Sequence, residues 1–148
     1  MDKRLDKIDE MVIGDAVNRY SDIFLSHALH PRNVGNLKGG NAYSAIPSHD
    51  GDIMEIWLRI NDDVIEEASF WTEGCGNTIA CGSMITEMAK GKTLSQSFEI
   101  TPEDVDTELG GLEGNCTCAK LAVDTLKAAL RDYLAYKREP WKRSYTGF

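Results

Sequence analysis

Four cysteines carry most of the chemistry that this sequence could perform: Cys75, Cys81, Cys116 and Cys118. Cys75 lies between two glycines, where a predicted strand gives way to a predicted helix. Cys118 lies at the start of the last long predicted helix. The N-terminus of a helix favours the thiolate form of cysteine, which binds soft metals and accepts sulfur. Cys75 and Cys118 are therefore candidate ligands or sulfur acceptors. The alternative is that they are small buried side chains.

A third candidate is the loop His49-Asp50-Gly51-Asp52, just before a predicted strand. Asp50 and Asp52 offer oxygen ligands, and His49 offers a nitrogen ligand. The alternative is an ordinary turn, because Asp and Gly are common turn residues. Cys116 lies in a glycine-containing loop two residues before Cys118, so it is either a further thiolate ligand or a loop thiol without a role. For Cys81, we expect packing in the core.

The elements that must position these residues begin with a charged N-terminal arm, residues 1–14. Asp15 is predicted to cap a helix that Pro31 ends, with His27 and His30 at its solvated end. Residues 31–41 form a loop, and a strand is plausible at 42–46. Further helices are predicted over 78–89, after the cap at Thr101, and from about 118 to 137.

Between the loop and these helices, two segments alternate as strands do, joined by a turn at 61–63. The residues predicted to face the core are Met54, Ile56, Leu58 and Ile60 in the first strand and Val64, Ala68, Phe70 and Thr72 in the second. The fold class is therefore α+β: a small three-stranded antiparallel sheet with helices packed on one face. Residues 15–138 form one domain, and 139–148 form a C-terminal tail.

The charge and the apolar runs of the chain indicate which classes of function are not expected. The chain has 148 residues, of which 16 are basic and 24 acidic, for a formal charge of −8. We expect no nucleic-acid partner, because phosphate binding calls for a basic face. No apolar run could span a bilayer, and the first residues match neither a secretory signal nor a transit peptide, so we expect a cytoplasmic protein. In that reducing compartment, structural disulfides are rare.

Three segments together resemble the IscU/NifU N-terminal family of iron–sulfur cluster scaffolds. The likeness covers roughly residues 16–136, and the order and spacing of the motifs hold throughout. The segments are Tyr20-Ser21 with His27 and Pro31-Arg32-Asn33-Val34-Gly35; Gly51-Asp52-Ile53-Met54 with Gly74-Cys75-Gly76 and Ile79-Ala80; and Cys118-Ala119-Lys120-Leu121-Ala122-Val123-Asp124 with Lys127-Ala128-Ala129.

The resemblance implies a scaffold, not an enzyme, that holds a transient [2Fe–2S] cluster. A cysteine desulfurase would deliver sulfur, iron would join, and acceptor apo-proteins would receive the cluster. A ferredoxin and a frataxin-like protein are further implied partners, and homo-oligomers stay open. The second and third family cysteines match Cys75 and Cys118, and an aspartate that tunes cluster lability matches Asp52. The absence of an insertion between the two cysteines favours the IscU type over the zinc-binding SufU type.

Three departures from the family pattern stand out. The first family cysteine falls at Asp50, and the histidine before the third cysteine falls at Thr117. The segment that recruits an Hsp70 chaperone is replaced by residues 110–115, which puts chaperone handling in doubt. Cys116 could supply the missing thiolate. Because carboxylate oxygens are harder ligands than thiolates, we expect a more labile cluster than an all-thiolate one.

Two other functions fit the same residues. A zinc-binding sulfur acceptor or desulfurase regulator could use Asp50, Cys75 and Cys118 with one further ligand in a tetrahedral site. A thiol–disulfide oxidoreductase could use Cys116 and Cys118, although no other feature is typical of a thioredoxin fold.

Overall fold

A computed structural model describes residues 22–48, 51–111 and 116–139. Three strands form one antiparallel sheet in the order β1-β2-β3: β1 is Ala42–Pro47, β2 is Ile53–Asn61 and β3 is Val64–Thr72. Five helices are described: α1 is Asp22–Leu29, α2 is Gly76–Ala89, α3 is Leu94–Phe98, α4 is Pro102–Glu108 and α5 is Cys116–Arg138. The predicted α+β class, with a three-stranded antiparallel sheet and helices, is confirmed.

The core lies between the sheet and the helices. The alternating residues of β2 are buried as predicted, from Met54 to Ile60. On the helix side, α5 packs against β1 and β2, while α2 packs against β3 and α5. Gly82 of α2 lies directly over the Phe70 ring, which brings the helix close to the sheet. The two helices that begin near Cys75 and Cys118 also contact each other.

The hairpin between β2 and β3 corrects one prediction. Asp62 and Asp63 both have positive φ, as the two central residues of a type I′ turn require. The register shifts between Arg59 and Ile60, so that Ile60 pairs with Ile65. Because this irregularity moves the pattern by one residue, Ile65 and not the predicted Val64 is fully buried.

Other element ends differ from the predictions in detail. The predicted start of the first helix at Asp15 lies outside the described residues. Helix α3 was not predicted, although Thr93 and Gln96 form a capping box at its start. His27 is buried instead of solvated, and its Nδ1 lies 2.6 Å from Ser83 Oγ, which ties α1 to α2.

In the described part of the chain, no helix is long and apolar enough to cross a membrane.

Candidate metal and sulfur site

Cys75 is the N-cap residue of α2. Its backbone is extended, with φ −73° and ψ −179°, and Ile79 N donates to its carbonyl oxygen at 3.0 Å. The turn before it is fixed by Gly74 N, which donates to Thr72 Oγ1 at 3.1 Å. Its thiol is free and the residue is exposed. This exposure rules out the alternative that Cys75 is a buried core residue.

Hydrogen bonds at the start of α2 favour the Cys75 thiolate. The backbone N–H of Thr78 is the largest cause that lowers the pKa of this thiol; the Thr78 hydroxyl and the N–H groups of Asn77 and Cys75 lower it further. Partial burial acts in the opposite direction, but the pKa still lies below its ordinary value. Cys75 is therefore the kind of accessible, polarised thiol that attacks electrophilic sulfur or binds a soft metal.

Cys118 lies in the first turn of α5 and is half-buried. It is 43 positions beyond Cys75 in sequence, yet both sulfurs meet the same side chain. Thr78 Oγ1 lies 3.7 Å from Cys75 Sγ and 3.6 Å from Cys118 Sγ. The first turns of two packed helices thus bring the two sulfurs to one place at the surface.

The loop that contains Asp52 lies at the same end of the sheet. Asp52 is half-buried and immediately precedes β2, and Ser48 N donates to its carbonyl oxygen at 2.6 Å. Ser48 and Thr117, the neighbour of Cys118, both line one cleft of about 510 Å³. The end of β1, which leads toward Asp52, and the start of α5 therefore border the same cleft.

The other candidate ligands lie outside the described residues or are described only in part, and Cys81 was predicted to be a core residue. His49 and Asp50 lie outside the described residues, and of Cys116 only its place at the start of α5 is described. Cys81 is fully buried in the core, as its position on α2 predicts. Within residues 22–48, 51–111 and 116–139, no three His, Cys, Asp or Glu side chains gather closely enough to hold a metal ion.

Sequence reasoning missed Thr78. Its hydroxyl is the group that joins the two sulfurs, and its side chain is only 6% exposed. A local signal existed, because the residue three positions after an N-cap is placed to meet the cap side chain. The contact with Cys118 could not have been found that way, since it depends on how α5 packs against α2.

This chain matches known proteins over most of its length. The family model for the NifU-like N terminal domain matches residues 19–140. An iron–sulfur cluster assembly scaffold protein IscU of Aquifex aeolicus is 41% identical over 119 residues, which are 78% of this chain and 76% of the relative. Another, IscU 1 of Archaeoglobus fulgidus, is 40% identical over 116 residues, 77% of this chain and 76% of the relative.

The fold agrees with the sequence match. The crystal structure of the N-terminal part of a nitrogen-fixing NifU-like protein from Brucella abortus superposes with a TM-score of 0.66 at 13% identity, covering 78% of this chain and 94% of that one. At this identity the superposition speaks for the fold alone. The family model and the sequence relatives cover most of the chain, and on that ground it belongs to the NifU-like N terminal domain family.

Proposed function

We propose that this protein is a scaffold, and not an enzyme, on which an iron–sulfur cluster is assembled before transfer to acceptor apo-proteins. The observation that carries the proposal is the meeting of the Cys75 and Cys118 sulfurs at one hydroxyl, at the surface ends of two helices. Relatives that cover most of this chain are named as iron–sulfur cluster assembly scaffolds. The cargo is a transient [2Fe–2S] cluster.

Sulfur enters through the more accessible thiol. A cysteine desulfurase carries sulfur as a persulfide, and the Cys75 thiolate attacks its outer sulfur. The sulfur–sulfur bond of the donor breaks, a new one forms on Cys75, and the donor cysteine leaves as a thiolate. Reduction of this sulfur to sulfide then takes two electrons, which a ferredoxin supplies. The lowered pKa of Cys75 fits this step, because the thiolate is the attacking form.

The ligand set mixes sulfur and oxygen. Cys75 and Cys118 are the thiolate ligands, and Asp50, Asp52 and Cys116 are the candidates for the remaining positions. Carboxylate oxygens are hard ligands that suit ferric iron, whereas thiolates are soft ligands. A cluster held in this way is easier to release than one held by thiolates alone, which suits a protein that passes its cargo on.

The surface charge bears on the partners. A formal charge of −8 fits a basic protein surface better than nucleic acid. The cysteine desulfurase, acceptor apo-proteins and a frataxin-like iron donor are the proposed partners. Handling by an Hsp70 chaperone is not proposed, because residues 110–115 lack the recruiting segment. We place the protein in the cytoplasm, where the four thiols stay reduced.

An anaerobic reconstitution tests the proposal. The full chain is incubated with ferrous iron, cysteine, a cysteine desulfurase and a reductant. We expect sulfur-to-iron charge-transfer absorption, with iron and sulfide bound in equal amounts. Cys75→Ser and Cys118→Ser should each lose most of this absorption, whereas Cys81→Ala, which changes a core cysteine, should keep it. If the unaltered chain takes up neither iron nor sulfide, the proposal is wrong.

A zinc-binding sulfur acceptor is the second candidate. In its favour is the resemblance, which aligns Asp50 with the first family cysteine, because one carboxylate and two thiolates are ordinary zinc ligands. Metal analysis separates the two functions. If bound zinc resists replacement by ferrous iron and sulfide under reducing conditions, the zinc function is favoured. If iron and sulfide displace it, the cluster scaffold is favoured.

A further inference from the structure

The Thr78 hydroxyl lies close to both candidate sulfur ligands. Its Oγ1 is 3.7 Å from Cys75 Sγ and 3.6 Å from Cys118 Sγ, both within reach of a hydrogen bond to sulfur. The side chain is buried, so water competes little for the hydroxyl. A hydroxyl has one hydrogen and two lone pairs, so it can donate to one sulfur while it accepts from the other when that one is a thiol.

The surrounding backbone keeps Thr78 in this position. A Cβ added at Gly74 would lie 2.7 Å from Thr78 Cβ and 2.8 Å from its Oγ1, closer than such atoms approach in proteins. Gly74 therefore leaves room for the threonine side chain. Gly74 is itself held by its hydrogen bond to Thr72 at the end of β3. Strand, turn and helix together aim one hydroxyl at both sulfurs.

We propose that Thr78 is a positioning residue that fixes the separation of the Cys75 and Cys118 sulfurs and donates a hydrogen bond to one of them while cargo is bound. Hydrogen bonds to ligand sulfurs are one of the means by which proteins tune iron–sulfur centres. The statement about cargo rests on the proposed function. The statement about the distance between the sulfurs does not, because it concerns the empty protein.

A metal-free cross-linking assay tests the positioning. Dibromobimane becomes strongly fluorescent only after both of its arms have reacted with thiols. In a Cys116→Ser background, the yield of double reaction is compared with the yield of single alkylation. We expect Thr78→Val to lower this ratio about 2- to 10-fold, the range for loss of one hydrogen bond. Thr78→Ser, which keeps the hydroxyl, should restore it.

Matched variants separate positioning from general damage. Thr125→Val removes another buried hydroxyl, which donates to Leu121 O at 2.6 Å within α5, and should leave the ratio unchanged. Gly74→Ala should lower the ratio as Thr78→Val does, because it displaces Thr78. Cys75→Ser defines the background fluorescence. An unchanged ratio in Thr78→Val, with thermal unfolding also unchanged, would overturn the proposal.

Cobalt binding tests the hydrogen bond to a ligand sulfur. Co²⁺ added to the full chain gives thiolate-to-cobalt charge-transfer bands whose energy depends on the electron density at sulfur. We expect these bands to move in Thr78→Val and to return in Thr78→Ser. Identical bands in all three proteins would remove the hydrogen-bonding part of the proposal. If the unaltered chain binds no Co²⁺, the metal-binding role fails, while the cross-linking result still decides the positioning.

Discussion

Gly82 lies against the ring of Phe70 so closely that a Cβ at this glycine would approach Phe70 Cδ2 to 2.4 Å. The contact joins α2 to β3 and sets how near the helix lies to the sheet. Phe70 is almost completely buried and belongs to the main core, so its ring has little space into which it could move. The position of Cys75, one residue before α2, depends on this contact.

Replacing Gly82 should therefore destabilise the fold. We expect Gly82→Ala to lower the free energy of unfolding by about 1–3 kcal/mol, the usual cost of overpacking a core. Urea unfolding measures the change. Gly76→Ala is the matched control, because nothing lies within 4 Å of a Cβ at that helical position. It should be neutral or stabilising by up to about 1 kcal/mol. Equal stability of the two variants would contradict the packing argument.

His27 should make stability depend on pH. Its burial is the main cause that lowers the pKa of the imidazole below 6.5; Arg32 lowers it further, and Glu87 raises it. Because the folded-state pKa is lower than the unfolded one, the unfolded state binds a proton first as pH falls. The contribution of this group to the free energy of unfolding is fully present above about pH 6.5. It decreases as the pH falls from there to the folded-state pKa.

The measurement for His27 is urea unfolding at pH 7.5 and pH 5.5, values chosen on either side of roughly 6.5. His27→Asn keeps a donor that can reach Ser83 but cannot titrate, so its loss of stability between the two pH values should be smaller than that of the unaltered chain. His30→Asn changes an exposed histidine on the same segment and serves as the control. A His27→Asn variant with an undiminished pH dependence would show that another group is responsible.

Cys75 should react as a thiolate at a lower pH than an ordinary cysteine. The hydrogen bonds that lower its pKa exist only in the folded state, since they come from the start of α2. We expect the pH profile of its iodoacetamide alkylation to have a lower midpoint in the folded chain than in urea. Peptide mapping by mass spectrometry follows Cys75 separately from the other thiols. Coinciding profiles would mean that the helix does not polarise this sulfur.

Under the proposed scaffold function, introducing a cysteine at position 50 should make bound cargo more stable. In Asp50→Cys, a thiolate replaces a carboxylate, and we expect the rate of iron loss to a chelator to fall several-fold, about 1 kcal/mol in barrier height. Absorbance after anaerobic reconstitution measures the rate. Cys116→Ser is informative beside it: faster iron loss would identify Cys116 as a ligand, whereas an unchanged rate would assign it no role.

Features that depend on the local pattern of a single helix or strand could be predicted from the sequence. The alternation in β2 predicts its buried residues because successive side chains point to opposite faces of a sheet. The same rule fails at Val64, since the register shift near Ile60 adds a residue that no local pattern reveals. The start of α3 could have been predicted from Thr93 and Gln96, whose capping box is a local signal.

The site could be predicted only in part, because it depends on contacts between segments that are distant in sequence. Cys75 and Cys118 could be selected by their places at predicted helix starts, but their meeting depends on the packing of α2 against α5. His27 was misplaced for the same reason: its partner Ser83 lies 56 residues away and buries a side chain that the sequence puts at a helix end. The Thr78 contact with Cys118, 40 residues apart, is of this kind too.

The two sulfurs belong to different helices, and this has a thermodynamic consequence. Cargo bound by both sulfurs would link α2 to α5, and its binding free energy would add to the stability of the folded state. The loaded protein must then melt at a higher temperature than the empty one. An acceptor must compete with this link to remove the cargo. A partner that separates the two helices would therefore also favour transfer of the cargo.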